Sequence, residues 1–158
     1  MEAAPLQLHR ATVLPAWVDY NGHMNEAFYL HVFCQASDAF IDHIGLDDAT
    51  RRATKSSAYT AEAHLMYLQE VHEGDRLLVT TQLLRHDAKR AQLFHAMIRE
   101  ADGVLAATNE LMLLHVDKSG APRAAPFRPE ILARLEAIAA SHAGLPAPRY
   151  AGRTIGFR

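Results

Sequence analysis

Between Trp17 and Tyr29 the chain reads WVDYNGHMNEAFY. Asp19, Asn21, Gly22 and His23 set a carboxylate, an amide, a permissive backbone position and an imidazole directly ahead of a strongly apolar run. These residue types suit acyl transfer to water. A carboxylate can act as base or nucleophile toward a carbonyl carbon. Asn21 and His23 can orient that carboxylate or a water, and Gly22 permits a tight turn or the close approach of a substrate. If the apolar run is a helix, its first backbone N–H groups lack partners. Together with the helix dipole they form a site for developing negative charge, such as a tetrahedral oxyanion. A plainer role fits the same residues, because Asp and Asn before a helix are ordinary caps and Asn-Gly is an ordinary turn. Spacing alone leaves both roles open, and the surrounding elements have to decide.

The run that follows is expected to be helical from about Asn25 to Ile44. Its polar positions His31, Gln35, Asp38 and Asp42 recur every three or four residues as one narrow wet stripe, read as solvated or interfacial. Nearly everything else there is apolar, Cys34 included, and a helix of that kind is enclosed by protein on most sides. Gly45 supplies its stop. Upstream, residues 6–18 read as a short strand and a bend at Pro15. Downstream, a polar connection leads to four strand-like segments at 58–68, 76–86, 90–100 and 104–117. The last three are joined by short turns, with Asp102-Gly103 a strong hairpin signal, and form an antiparallel meander. They exceed the roughly five or six residues of an average strand, which suits a sheet that curls around the buried helix. Residues 129–142 make a second helix, opened by Pro129 and striped with Ile131, Leu132, Leu135 and Ile138.

The expected fold is therefore α+β, a curved antiparallel sheet wrapped around a long central helix, plus a C-terminal helix. Residues 1–145 are expected to form this domain and residues 146–158 an irregular tail. One sheet around one helix leaves open edges, so a homodimer is expected through edge pairing or helix contact.

Composition removes several classes of function. At 158 residues, 49% hydrophobic and 22% charged, the chain is an ordinary globular domain with enough material for a core. A net charge of −2 gives no support for nucleic-acid binding. No run approaches the roughly 20 apolar residues of a membrane span, and the first ten residues carry no apolar leader core. A cytoplasmic protein is expected. The single cysteine, Cys34, excludes an intramolecular disulfide. The ten histidines show no metal-ligand spacing, and no G-x-S-x-G elbow is present. Neither a metal nor a cofactor is expected.

The segment DYNGHMNEAFYL resembles the helix-opening signature of the hotdog-fold acyl-CoA thioesterases, the 4-hydroxybenzoyl-CoA thioesterase-like group, and the resemblance in element order covers residues 8–118. It implies that Asp19, in the pattern D-x-x-G with Gly22, is the catalytic carboxylate. The pattern D-x-N-x-H also matches plant acyl-ACP thioesterases, which implies a catalytic set of Asp19, Asn21 and His23. A backbone N–H near Glu26 would hold the oxyanion. Within the group, PAWVDYNGHMNEAFYLHVF, SAYTAEAHLMYLQEV and LMLLHVD look like the betainyl-CoA thioesterases of bacterial carnitine breakdown. The resemblance further implies dimers or dimers of dimers, with active sites at the subunit interface and no metal.

A betainyl group carries a permanent trimethylammonium, which proteins hold with aromatic faces and nearby carboxylates. Trp17, Tyr20, Gly22, Asn25, Glu62 and Tyr67 are the expected substrate-lining residues. Tyr59, Phe94 and Glu110 are weaker candidates, since aromatics on strands are usually core. Arg85, Lys89, Arg90, Arg123 and Arg128 are available for coenzyme A phosphates, with none assigned. A thioesterase for another small acyl-CoA, a hydratase of acyl thioesters, a binding module without catalysis and a purely structural domain are the alternatives.

Overall fold

The structure is a computed structural model that describes residues 3–157. Its elements in chain order are β1 (Leu6–Thr12), α1 (Glu26–His43), α2 (Asp48–Thr54), β2 (Ser56–Tyr67), β3 (Arg76–His86), β4 (Arg90–Arg99), β5 (Val104–Asp117), the short β6 (Arg123–Ala124) and α3 (Pro129–His142). A single 3-10 turn at Pro15–Trp17 makes the bend after β1. The sheet runs β1-β3-β4-β5-β2, every pair antiparallel, with β6 added to β5. The meander β3–β4–β5 lies where the turn signals put it. β2, although it precedes the meander in sequence, closes the sheet on the far side of β5 and so forms one edge, with β1 at the other.

α1 touches β1, β2, β3 and β5, so the sheet wraps it in the α+β hotdog arrangement. Val32, Phe33, Ala36 and Phe40 are fully buried on the face that meets the sheet. The N-terminal half of α1 packs with Leu77, Val79 and Met97, while its C-terminal half packs with Leu93, Leu113 and the α3 residues Ile131 and Leu135. Gly45 ends the helix with φ +88°, a left-handed geometry that disfavours side chains.

The structure corrects the sequence reading in two places. The connection after α1 is not wholly irregular: α2 forms there, capped by Asp47, whose Oδ1 accepts the Thr50 N–H at 2.9 Å. Cys34 does not lie on an enclosed face but is exposed, and Leu30 is 42% exposed beside it, so the open stripe of α1 is wider and more apolar than the polar residues alone indicate. Beyond α3 the chain runs without regular structure across the sheet, where Gln82 Nε2 donates to Pro146 O at 3.3 Å and Gly152 N–H donates to Glu110 Oε2 at 2.6 Å.

Candidate active site

The loop that carries the motif is a small closed turn. Val18 and Met24 bridge across it, Asp19 N–H donates to His23 O at 3.2 Å and Gly22 N–H to Asp19 O at 3.0 Å. Gly22 has φ +83° with open space around it, so the backbone conformation, not crowding, calls for glycine there. Two bonds fasten the loop to the body: Asn25 N–H to Trp17 O at 2.9 Å and Met24 N–H to Val71 O at 2.8 Å.

Asp19 is half-buried and held at both oxygens. Oδ1 accepts the Asn21 backbone N–H at 2.8 Å, and Oδ2 accepts Asn25 Nδ2 at 3.1 Å. Asn25 is also the N-cap of α1, its Oδ1 accepting the Ala27 N–H at 3.0 Å. Its carbonyl accepts the Phe28 N–H at 3.0 Å. With those two amides engaged, the Glu26 N–H makes no hydrogen bond among the described residues. It opens the helix beside the carboxylate, where helix-end donors favour negative charge.

A cavity of about 490 Å³ adjoins this point. One wall is the loop and first turn of α1, with Asp19, Asn21, His23 and Glu26. The other is the end of β2 and the residues after it, Tyr67 to Glu70. Tyr67 Oη donates to Glu26 O at 3.3 Å, and its ring meets Tyr29 edge-on at 5.2 Å. Tyr29 Oη donates to Gln69 O at 3.3 Å and accepts the Val71 N–H at 3.3 Å, stapling the two walls together. Burial pushes both phenols above their ordinary range, with the Glu26 charge adding to the effect on Tyr67. Three carboxylates, Asp19, Glu26 and Glu70, line the cavity, and among the described residues no lysine or arginine does.

Of the residues singled out in the sequence, Asp19, Tyr20, Asn21, His23, Asn25, Glu26 and Tyr67 line this cavity. Gly22 shapes the loop without lining it. Trp17 turns away, stacked on Phe28 at 5.5 Å with His31 edge-on at 5.6 Å. Glu62 lies in a different cleft, of about 240 Å³, with His64, Gln92 and Glu110. Phe94 is 5% exposed, and Tyr59 is not among the lining residues. Tyr29 and Glu70 were missed. Tyr29 reads as one more apolar position of a buried helix, and Glu70 as part of a polar turn. Arg90, Arg123 and Arg128 pair with Asp87, Asp117 and Glu130, and Arg85 lines a separate small cleft. No group of three potential metal ligands occurs among the described residues, and no helix there is long and apolar enough to cross a membrane.

Comparison with known proteins adds four findings. Residues 13–135 match the thioesterase-like superfamily. The betainyl-CoA thioesterase of Pseudomonas aeruginosa is 52% identical over 96% of this chain and 95% of its own length. The L-carnitine dehydrogenase/betainyl-CoA thioesterase of Agrobacterium fabrum is 49% identical over 96% of this chain, which spans 30% of that longer protein. Among solved structures, a Staphylococcus aureus protein in complex with CoA superposes with a TM-score of 0.90 at 28% identity, covering 98% of this chain and 97% of that one.

Proposed function

The chain belongs to the thioesterase-like superfamily, and from that premise we infer that it is an acyl-CoA thioesterase that hydrolyses betainyl-CoA to betaine and free coenzyme A in carnitine breakdown. One observation supports this acyl group above others: among the described residues the cavity beside Asp19 is walled by three carboxylates and three tyrosines with no lysine or arginine. Such a wall favours a cation that cannot donate hydrogen bonds and disfavours a carboxylated acyl group.

The thioester carbonyl lies against the opening of α1, where the Glu26 N–H stabilises the oxyanion as the carbonyl carbon becomes tetrahedral. Asp19 supplies the attack, as base toward a water or directly through an oxygen that forms a mixed anhydride. Collapse of the intermediate returns the carbonyl and releases the coenzyme A thiolate; on the anhydride route a water then cleaves the anhydride, freeing the acid and restoring Asp19. The Asn21 backbone N–H and the Asn25 amide fix the carboxylate, while His23 faces the cavity to orient the water or to protonate the leaving sulfur.

The working form is a cytoplasmic homodimer with the cavity at the subunit boundary. Its support is the open edge of the sheet: β2 pairs with β5 on one side only, carries exposed Tyr59 and Tyr67, and ends at the cavity. A second copy pairing there would enclose the site.

A thiol-release screen across short cationic, neutral and aromatic acyl-CoAs tests the assignment. Betainyl-CoA is expected to be the best substrate, and Asp19→Asn to lower its kcat by about 10²–10⁴-fold with the fold intact. Undiminished turnover by that variant rejects Asp19. A preference for aromatic or fatty acyl groups ends the betainyl assignment and leaves the enzyme class standing. A single turnover in ¹⁸O-water separates the two forms of attack: incorporation of solvent oxygen into the first product marks the base, and its absence marks the nucleophile.

A further inference from the structure

We propose that Glu70 is the specificity-determining residue for the acyl group, its carboxylate facing the trimethylammonium of the substrate, an assignment that rests on the betainyl reading. Glu70 belongs to the connection between β2 and β3, and several main-chain groups around it are tied down. Leu68 and Gln69 N–H both donate to Ala106 O, at 2.9 and 3.0 Å. The Arg99 guanidinium donates to Glu70 O at 2.9 Å. Tyr29 Oη bonds on either side of Glu70, to Gln69 O and from Val71 N–H. That backbone sets the Glu70 side chain in the cavity wall.

The Glu70 carboxylate accepts no hydrogen bond among the described residues. Oε2 stands 3.7 Å from His23 Nε2 and Oε1 stands 3.9 Å from His72 Nε2, ion-pair contacts that need a protonated ring, and the side chain is 60% exposed and lines the cavity. The other two carboxylates are engaged differently. Asp19 accepts from Asn21 and Asn25, and Glu26 sits on the first turn of α1, where the helix dipole favours an anion.

A trimethylammonium needs no donor geometry. It takes a nearby negative charge and an aromatic face, the contacts that a carboxylate at long range and a tyrosine ring provide. Only one methylene separates the ammonium from the carbonyl carbon in a betainyl thioester, so the cation has to rest beside the oxyanion site. Tyr67 marks that place, since its hydroxyl donates to Glu26 O, and Tyr67 through Glu70 form one continuous wall.

The test compares betainyl-CoA with 3,3-dimethylbutanoyl-CoA, its neutral carbon isostere, on the unaltered protein and on Glu70→Gln. The ratio of ratios cancels the different intrinsic reactivity of the two thioesters. The variant is expected to raise KM for betainyl-CoA about tenfold and to leave KM for the isostere unchanged. An equal fall in activity on both substrates makes Glu70 merely structural and overturns the proposal, as does an unchanged KM for betainyl-CoA. If the unaltered protein binds the two esters alike, the betainyl reading itself fails. If it discriminates and Glu70→Gln still discriminates equally, only the role of Glu70 fails.

Discussion

At the residue scale, Asn25 joins stability to chemistry through one side chain. Its oxygen caps α1 and its nitrogen holds Asp19. Asn25→Ala removes both, so a loss of about 1 kcal/mol of stability is expected, together with a kcat reduced about tenfold or more as the carboxylate loses its fixed direction. Asn25→Asp keeps an acceptor for the cap yet turns a negative oxygen toward Asp19, so it should melt near the unaltered protein and still lose activity. Full kcat in Asn25→Asp would mean that the amide does not guide Asp19. The motif residues were legible because a loop of five positions needs no long-range information. Their division of labour was not. Asn21 serves Asp19 through its backbone, and Asn25 supplies the side-chain amide that spacing suggests for Asn21. Glu70 reaches the site, and the Tyr29 hydroxyl finds its partners, only through the docking of the β2–β3 connection on α1, and no local pattern in the sequence encodes that contact.

At the scale of elements, α1 and β4 meet over a polar trio. His95 is fully buried, with Nε2 3.0 Å from Ser37 Oγ and Nδ1 2.9 Å from Thr81 Oγ1. Ser37 gives its proton to Phe33 O at 3.1 Å, so His95 Nε2–H donates to Ser37 and the Thr81 hydroxyl donates to Nδ1. Burial pushes His95 down to about 3, with His9 adding to the shift. The folded protein therefore keeps this ring neutral while the unfolded chain protonates it near 6.5. Stability is full above that value and falls as pH drops toward 3, by up to roughly 1.4 kcal/mol per pH unit from this group. His9 and His142, also lowered by burial, act in the same direction. Urea midpoints at pH 7.5 and 5.0 check the expectation, and His95→Gln should flatten the difference by about one proton; an unaltered slope would remove His95 as a cause. The strands were legible from their turns and α3 from its apolar stripe. α2 was not, because none of its residues is buried. Its signals are a cap and an Asp48–Arg52 pair at 2.9 Å, which hydrophobic periodicity does not register.

At the scale of the molecule, the sheet has one edge at β1 and another at β2, and the second runs past the cavity. Like charges brought together across a two-fold repel, so Ala63→Lys, on the exposed middle of β2, should dissociate the proposed dimer and lower activity with it. Sedimentation of both proteins decides this, and an unaltered chain that sediments as a monomer at assay concentration refutes the arrangement. The fold as a whole was legible because a buried helix followed by a long-stranded meander admits few packings.

Under the proposed assignment, a cavity with no lysine or arginine among its described lining residues has a consequence for the end of the catalytic cycle. Hydrolysis turns an uncharged thioester carbonyl into an acid anion in a chamber already holding Asp19, Glu26 and Glu70. The surroundings that welcomed the starting molecule repel what it becomes, so the chemistry supplies its own impulse for clearing the chamber, with no moving part required.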